Sequence, residues 1–260
     1  MGAPLAMGSI HAMASATTSV PAGVTRPAMR NIPSYYSHKV AYGPAVADHL
    51  RREDPEANFL DAPLEETLPR MARILRKRIT DMVVLVLDRP RNQAFIDAIR
   101  RCGASLRTIG DGDITAAVAP SLPDSGIDLY VGIGGSPEGV LTATALRALG
   151  GEIQLRMWFP NPEAKAREVK GVPESEIQRI YRSKDIVTGE SAIFSATGII
   201  ESPLLPGVKL IGHKAITHTI LMRAKSQTVR YIRAVHDLEK KTIHLRSRGG
   251  VGKESKIGKG

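Results

Sequence analysis

The chain has one cysteine, Cys102, which excludes an intrachain disulfide and fits a reducing compartment. Cys102 closes an apolar helical face begun by Phe95 and Ile99, so it reads as a buried structural thiol and not a nucleophile. Aromatic residues make up only 4% of the chain, which leaves a core drawn from 42% apolar residues mostly aliphatic. No run of about eighteen apolar residues occurs, so no segment reads as a membrane-spanning helix. Acids are missing from the front: the first is Asp48, and before residue 31 only Arg26 and Arg30 carry charge. Residues 1–33 therefore read as a disordered leader, with a transit peptide or an unusual start site as alternatives.

Positive charge is in excess, +10 net, and much of it sits at the end of the chain. From Lys240 to Lys259 seven Lys or Arg stand against one acid, Glu254, with glycines between them. Residues 246–260 read as a basic flexible tail, and the body without it is mildly basic. No aromatic-rich basic motif accompanies the charge, so nucleic-acid binding is disfavoured.

The remainder, 34–245, reads as one α/β domain. Ordered sequence begins near Tyr35-Tyr36. Leu64, Leu68, Met71 and Leu75 recur at helical spacing, with Pro69 expected to kink or delay that helix. Met82–Leu87 is a buried strand, Ala94–Cys102 an amphipathic helix closed by Gly103, and Ala104–Ile109 a second strand. Ile127–Val131 is a third strand, and Val140–Leu149 a helix apolar nearly all round that stops at Gly150-Gly151. This alternation predicts a layered α/β domain. Beyond it the chain is strand-rich: Glu152–Phe159, Ser191–Ile200, Val208–Gly212, Ile216–Ala224 and Thr228–Val235. Those strands are expected to extend the same sheet or pack on it.

Ligands of such sheets gather at the carboxyl ends of the strands. Here three consecutive strands end in Arg89/Arg91, in Asp111-Gly112-Asp113 and in Gly132–Gly139. The glycines of the last segment allow a backbone to approach a ligand closely, and the following helix start offers free N–H groups to an anion. Pro137 suits a first helical turn. Asp111, Asp113 and Glu138 beside a phosphate would repel it unless a cation lay between, so they suggest a divalent metal and a phosphorylated ligand. The alternative is solvated acids around a tight strand–helix connection. A dinucleotide fingerprint fails because Pro137 stands where a third glycine belongs, and a Walker pattern fails for want of Gly-Lys-Ser/Thr.

From about Tyr36 to Leu238 the sequence resembles the class II fructose-1,6-bisphosphatases, some of which also hydrolyse sedoheptulose 1,7-bisphosphate. The resemblance is carried by His38-Lys39-Val40-Ala41-Tyr42-Gly43-Pro44, Leu60–Glu66, Leu87–Arg91, Asp111–Asp113, Gly132–Gly139, Phe194–Gly198, Thr217–Thr219 and Met222–Ser226. It implies a layered α/β/α fold of the lithium-sensitive, metal-dependent phosphatase superfamily. It also implies hydrolysis of the 1-phosphate of fructose 1,6-bisphosphate to fructose 6-phosphate by a metal-activated water, a step of gluconeogenesis. Under it Glu138 is a ligand to Mn2+ or Mg2+, and Tyr36, Arg89, Pro90, Arg91, Asp111, Gly112, Asp113 and Gly135 are substrate-binding positions. Asn92 departs from the family's usual His, and Arg51–Asn58 looks like an insertion. The family's Asp-Pro-Ile-Asp-Gly-Thr segment and most of its carboxylate ligands precede the Tyr36 region and have no counterpart here, so the chain is expected to be truncated at its N-terminus, with its catalytic residues in the missing portion. The alternative function is a non-catalytic sugar-phosphate-binding remnant. The expected partners are a sugar bisphosphate and further copies of the chain, as a dimer or tetramer, in the cytoplasm.

Overall fold

The computed structural model describes residues 36–169, 172–189 and 191–240, together with the backbone of 13–18. Three strands, β3 (Val83–Leu87), β4 (Ser105–Ile109) and β5 (Leu129–Gly135), run parallel, with β3 between the other two. Continuous aliphatic runs suit β3 and β5 because both of their faces are covered. On the other side of β5 lies β2 (Tyr36–Tyr42), antiparallel to it, followed outward by β6 (Glu152–Met157) and the short β7 (Tyr181–Arg182). The first sheet therefore has the order β4-β3-β5-β2-β6-β7.

Three helices cover one face of it: α1 (Pro44–Glu53), α2 (Leu64–Leu75) and α3 (Gln93–Cys102). Their inward residues, among them Leu50, Leu68, Met71 and Ile99, pack with Val40, Val84 and Val131. Helix α2 runs through Pro69 without a break and ends at Arg76, whose φ of 55° gives the left-handed cap. Gly103 (φ 76°) ends α3 in the same way, as its position after Cys102 predicts.

The opposite face carries α4 (Asp113–Val118) and α5 (Ser136–Leu149), against Leu85, Tyr130 and Ile153. Helix α5 is built of small residues because it is squeezed between two sheets. Ala143 and Leu146 meet the first sheet, while Ala145 and Ala148 meet Phe194, Ile220 and Met222 of the second. Its buried hydroxyls bond back along the helix, Thr142 to the Glu138 carbonyl and Thr144 to that of Val140, each at 2.9 Å. Gly150 (φ 82°) closes it.

The second sheet joins β8 (Ala192–Thr197), β9 (Lys209–Ile211), β10 (Lys214–Arg223) and β11 (Thr228–Asp237), all antiparallel. Among the described residues after α5, β6 and β7 alone extend the first sheet. The remaining late strands form this separate layer, packed on α5, where an extension of one sheet or direct packing on it was expected. The layers thus run helix, sheet, helix, sheet. Strand β1 (Met13–Thr18) pairs with β8 in register Met13↔Thr197 to Thr18↔Ala192. It lies within residues 1–33, where sequence reading expected a disordered leader. The rest of that leader, and the basic tail 246–260, fall outside the described residues.

Candidate functional site

Parallel pairing of β4, β3 and β5 brings their carboxyl ends to one edge, so the segments after Leu87, Ile109 and Gly135 are neighbours. Strand β2 runs the other way and brings its first residue, Tyr36, to the same edge, opposite Gly135. Pro90–Asn92 forms a single tight turn. From it Arg91 donates Nε–H to the Ile133 carbonyl at 2.8 Å and lays its guanidinium 4.7 Å over the Tyr36 ring. Arg89 lies farther out, 3.5 Å from the Asp111 carboxylate and half exposed. Gly112, at φ 102°, makes the sharp entry into α4, and Asp111 Oδ1 accepts its N–H at 3.0 Å. The edge thus gathers Tyr36, Arg89, Arg91, Asp111 and Gly135.

Asp113 faces inward. Its Oδ2 accepts from the Lys39 ammonium and its Oδ1 from the Tyr130 hydroxyl. Lys39 is wholly buried and also donates to the Gly135 carbonyl at 2.6 Å. Burial, then the nearby Asp113 charge, pushes the Tyr130 phenol well above its ordinary pKa, so it stays a proton donor. This neutral cluster explains the glycines. A Cβ on Gly134 would lie 2.6 Å from Asp113 Cγ and 2.9 Å from its Oδ1, and one on Gly132 would lie 3.2 Å from the Tyr130 hydroxyl. Sequence reading assigned these glycines to close approach of a ligand in a loop. They are instead the end of strand β5, and the space they leave is filled by the protein's own side chains.

Asn92 is fully buried and bridges the same region. Its amide donates to the Leu87 carbonyl at 3.0 Å and accepts the Ile133 N–H at 2.8 Å. Strands β3 and β5 pair only at Val84↔Leu129 and Leu85↔Tyr130, so Asn92 bonds the two backbones where they part. Sequence reading noted Asn92 only as a departure from a family pattern, and gave Lys39 and Tyr130 no role. The available signal was a lysine directly before an apolar strand segment, in Lys39-Val40-Ala41-Tyr42.

Glu138 stands in the first turn of α5, half-buried and folded back over Gly135, where a Cβ would meet its Cδ at 2.9 Å. Asp111 is paired with Arg89, and Asp113 with Lys39 and Tyr130. Among the described residues no three His, Cys, Asp or Glu side chains gather as a metal site. The expectation that Asp111, Asp113 and Glu138 surround one cation is therefore corrected: lysine and arginine neutralise the two aspartates. A hard divalent cation wants about six oxygen ligands, and these residues alone do not fit it.

A family model described as "Bacterial fructose-1,6-bisphosphatase, glpX-encoded" matches residues 4–236. The match starts inside the stretch read as a leader. The class 2 fructose-1,6-bisphosphatase of Haemophilus influenzae is 42% identical over 192 residues, covering 69% of this chain and 57% of the relative. Fructose-1,6-bisphosphatase 1 class 2 of Escherichia coli K12 is 33% identical over 222 residues, covering 81% and 64% respectively. The chain thus spans less than two thirds of these curated relatives.

Proposed function

Because the chain belongs to the bacterial, glpX-encoded fructose-1,6-bisphosphatase family, we propose that its substrate is a sugar bisphosphate and its reaction the release of a phosphate. Fructose 1,6-bisphosphate, losing its 1-phosphate to give fructose 6-phosphate, is the first candidate, and sedoheptulose 1,7-bisphosphate the second. The observation that carries this reading is the fixed guanidinium of Arg91. One nitrogen is tied to the Ile133 carbonyl and the plane lies on Tyr36. No carboxylate among the described residues forms an ion pair with Arg91, and a planar fork held in this way suits phosphate oxygens. Arg89, Pro90, Asp111, Gly112 and the Gly135 backbone complete the grip. Asp113 acts from below, by supporting the segment.

In this reading Glu138 would hold Mn2+ or Mg2+, which supplies charge neutralisation and an activated water when bound. Among the described residues no three His, Cys, Asp or Glu side chains gather around Glu138. The same observation favours a second reading, sugar-phosphate binding without catalysis. A cytoplasmic location and a dimer or tetramer belong to the proposal.

Calorimetric titration with fructose 1,6-bisphosphate, with and without Mn2+, tests it alongside a phosphate-release assay. Binding should persist without metal, and Arg91→Ala should weaken it by about 1.5–3 kcal/mol, the scale of a hydrogen bond to a charged group. Metal-dependent release at about 1 s⁻¹ or more would establish catalysis. Binding without release would establish the second reading, and equal affinity of wild type and Arg91→Ala would reject the site.

A further inference from the structure

We propose that Lys39 is a positioning residue for the start of α5, acting through the Gly135 carbonyl. The proposal deepens the sugar-bisphosphate reading and rests on it. A fully buried ammonium is expensive, and a buried ion pair seldom repays its desolvation compared with apolar packing. Around Lys39, moreover, the chain has cut side chains away. Gly134 makes room for its partner Asp113, whose Cγ a Cβ there would approach to 2.6 Å. The charge therefore has work beyond holding the sheet together.

That work follows from its second bond. The Gly135 carbonyl, 2.6 Å from Lys39 Nζ, belongs to the peptide that joins β5 to α5. In a trans peptide the C=O and N–H point in opposite directions, so drawing this carbonyl onto the buried ammonium turns the Ser136 N–H away from it. A glycine has little intrinsic preference to keep that plane in place, so the lysine supplies the preference. Among the described residues no side chain caps α5, and the Ser136 hydroxyl is 2.5 Å from that of Ser37, on the buried side. The backbone N–H groups of Ser136 and Glu138 are thereby left for an anion, Pro137 between them having none. An ammonium at the positive end of a fourteen-residue helix would oppose the helix dipole on its own. Asp113 balances it within the fold, and a phosphate above the helix start would gain from both.

The test removes the Lys39 ammonium without stranding its partner carboxylate. In Lys39→Met/Asp113→Asn the buried pair becomes a neutral pair of similar volume, and the fold should survive where Lys39→Met alone would be destabilised by a stranded carboxylate. Amide hydrogen exchange of Gly139–Ala143, beyond the unpaired first turn and read against that of β5 in the same protein, reports the helix start without any ligand. We expect it to rise by about tenfold or more in the double variant, the factor lost with one modest hydrogen bond. Affinity for fructose 1,6-bisphosphate should fall by a similar factor. Unchanged exchange at Gly139–Ala143 in a folded double variant would overturn the proposal and make Lys39 merely half of a structural ion pair. If wild type binds no sugar bisphosphate, the reading of function fails, and the exchange result still decides the role of Lys39.

Discussion

Three glycines stand in a row of four at the end of β5, and each should respond differently to a methyl group. At Gly134 the added Cβ would lie 2.6 Å from Asp113 Cγ and 2.9 Å from Oδ1. Asp113 cannot retreat easily, since it is buried and held from both sides by Lys39 and Tyr130. Gly134→Ala should therefore break the buried pair, which costs about 3–5 kcal/mol when one partner is displaced. Removing glycine's backbone freedom returns about 0.5–1 kcal/mol. The net expectation is a loss of about 2–4 kcal/mol on these two principles. At Gly132 the nearest atoms are the Tyr130 hydroxyl at 3.2 Å and Asn92 Nδ2 at 3.5 Å, a gap that a few tenths of an ångström would open. Gly132→Ala should stay within about 1 kcal/mol of wild type. At Gly135 the clash is with the carboxylate end of half-buried Glu138, which can swing away, so Gly135→Ala should also be nearly neutral for stability.

Urea unfolding of the three variants, at constant slope, measures these differences directly. The decisive control is Gly134→Ala in a Lys39→Met/Asp113→Ala background, where the carboxylate is gone and the methyl has space. There its cost should vanish, a coupling of the kind that neighbouring residues show. If Gly134→Ala is harmless in the wild-type chain, or equally harmful in both backgrounds, the packing of Asp113 over Gly134 is not what that glycine is for.

Asn92→Ala leaves the Ile133 N–H buried without its partner, while the Leu87 carbonyl keeps the Arg89 N–H at 2.9 Å, and thermal or urea unfolding should show a loss of about 1–3 kcal/mol from the one orphaned donor. His38 stacks on Phe95 with ring centroids 4.9 Å apart, and burial lowers its pKa from 6.5 to about 4. The unfolded chain therefore binds a proton more readily between those values, so this group's contribution is full above pH 6.5 and declines as pH falls toward 4. The loss should reach about 3 kcal/mol, and His38→Leu should flatten the stability curve over that window; an unchanged acid limb would show that His38 is not the group responsible.

The sequence was most legible from Met82 to Gly150, where apolar runs match single elements and glycines close the helices. Gly103 and Gly150 both take the left-handed conformation their positions implied. Strand β2 was missed because its pattern is not that of a half-buried strand. It is central, flanked by β5 and β6, and its Ser37 and Lys39 are satisfied by residues 99, 74 and 96 positions away. No local window contains those partners. The same reason hid the meaning of the glycines: Gly132 and Gly134 could be placed at a strand end, but not beneath Asp113 and Tyr130. The gathering of Arg89, Asp111 and Gly135 was legible because strand direction alone brings them together. The grouping of the carboxylates was not, since it depended on which basic side chain reached each of them.

The position of β2 also sets the order in which the first sheet can be completed during synthesis. Tyr36–Tyr42 leaves the ribosome first among its strands, yet its partners on β5 lie 87 to 99 residues later, by the register Tyr42↔Leu129 to Tyr36↔Gly135. At about 5–20 residues per second the nascent segment waits roughly 5–20 s for its first neighbour. Through that interval an apolar stretch, Val40-Ala41-Tyr42, is open to pairing with other chains. The charged Lys39 beside it is then a gatekeeper against aggregation, of the type that flanks unavoidable hydrophobic strands. A side chain that costs desolvation in the finished protein protects the unfinished one.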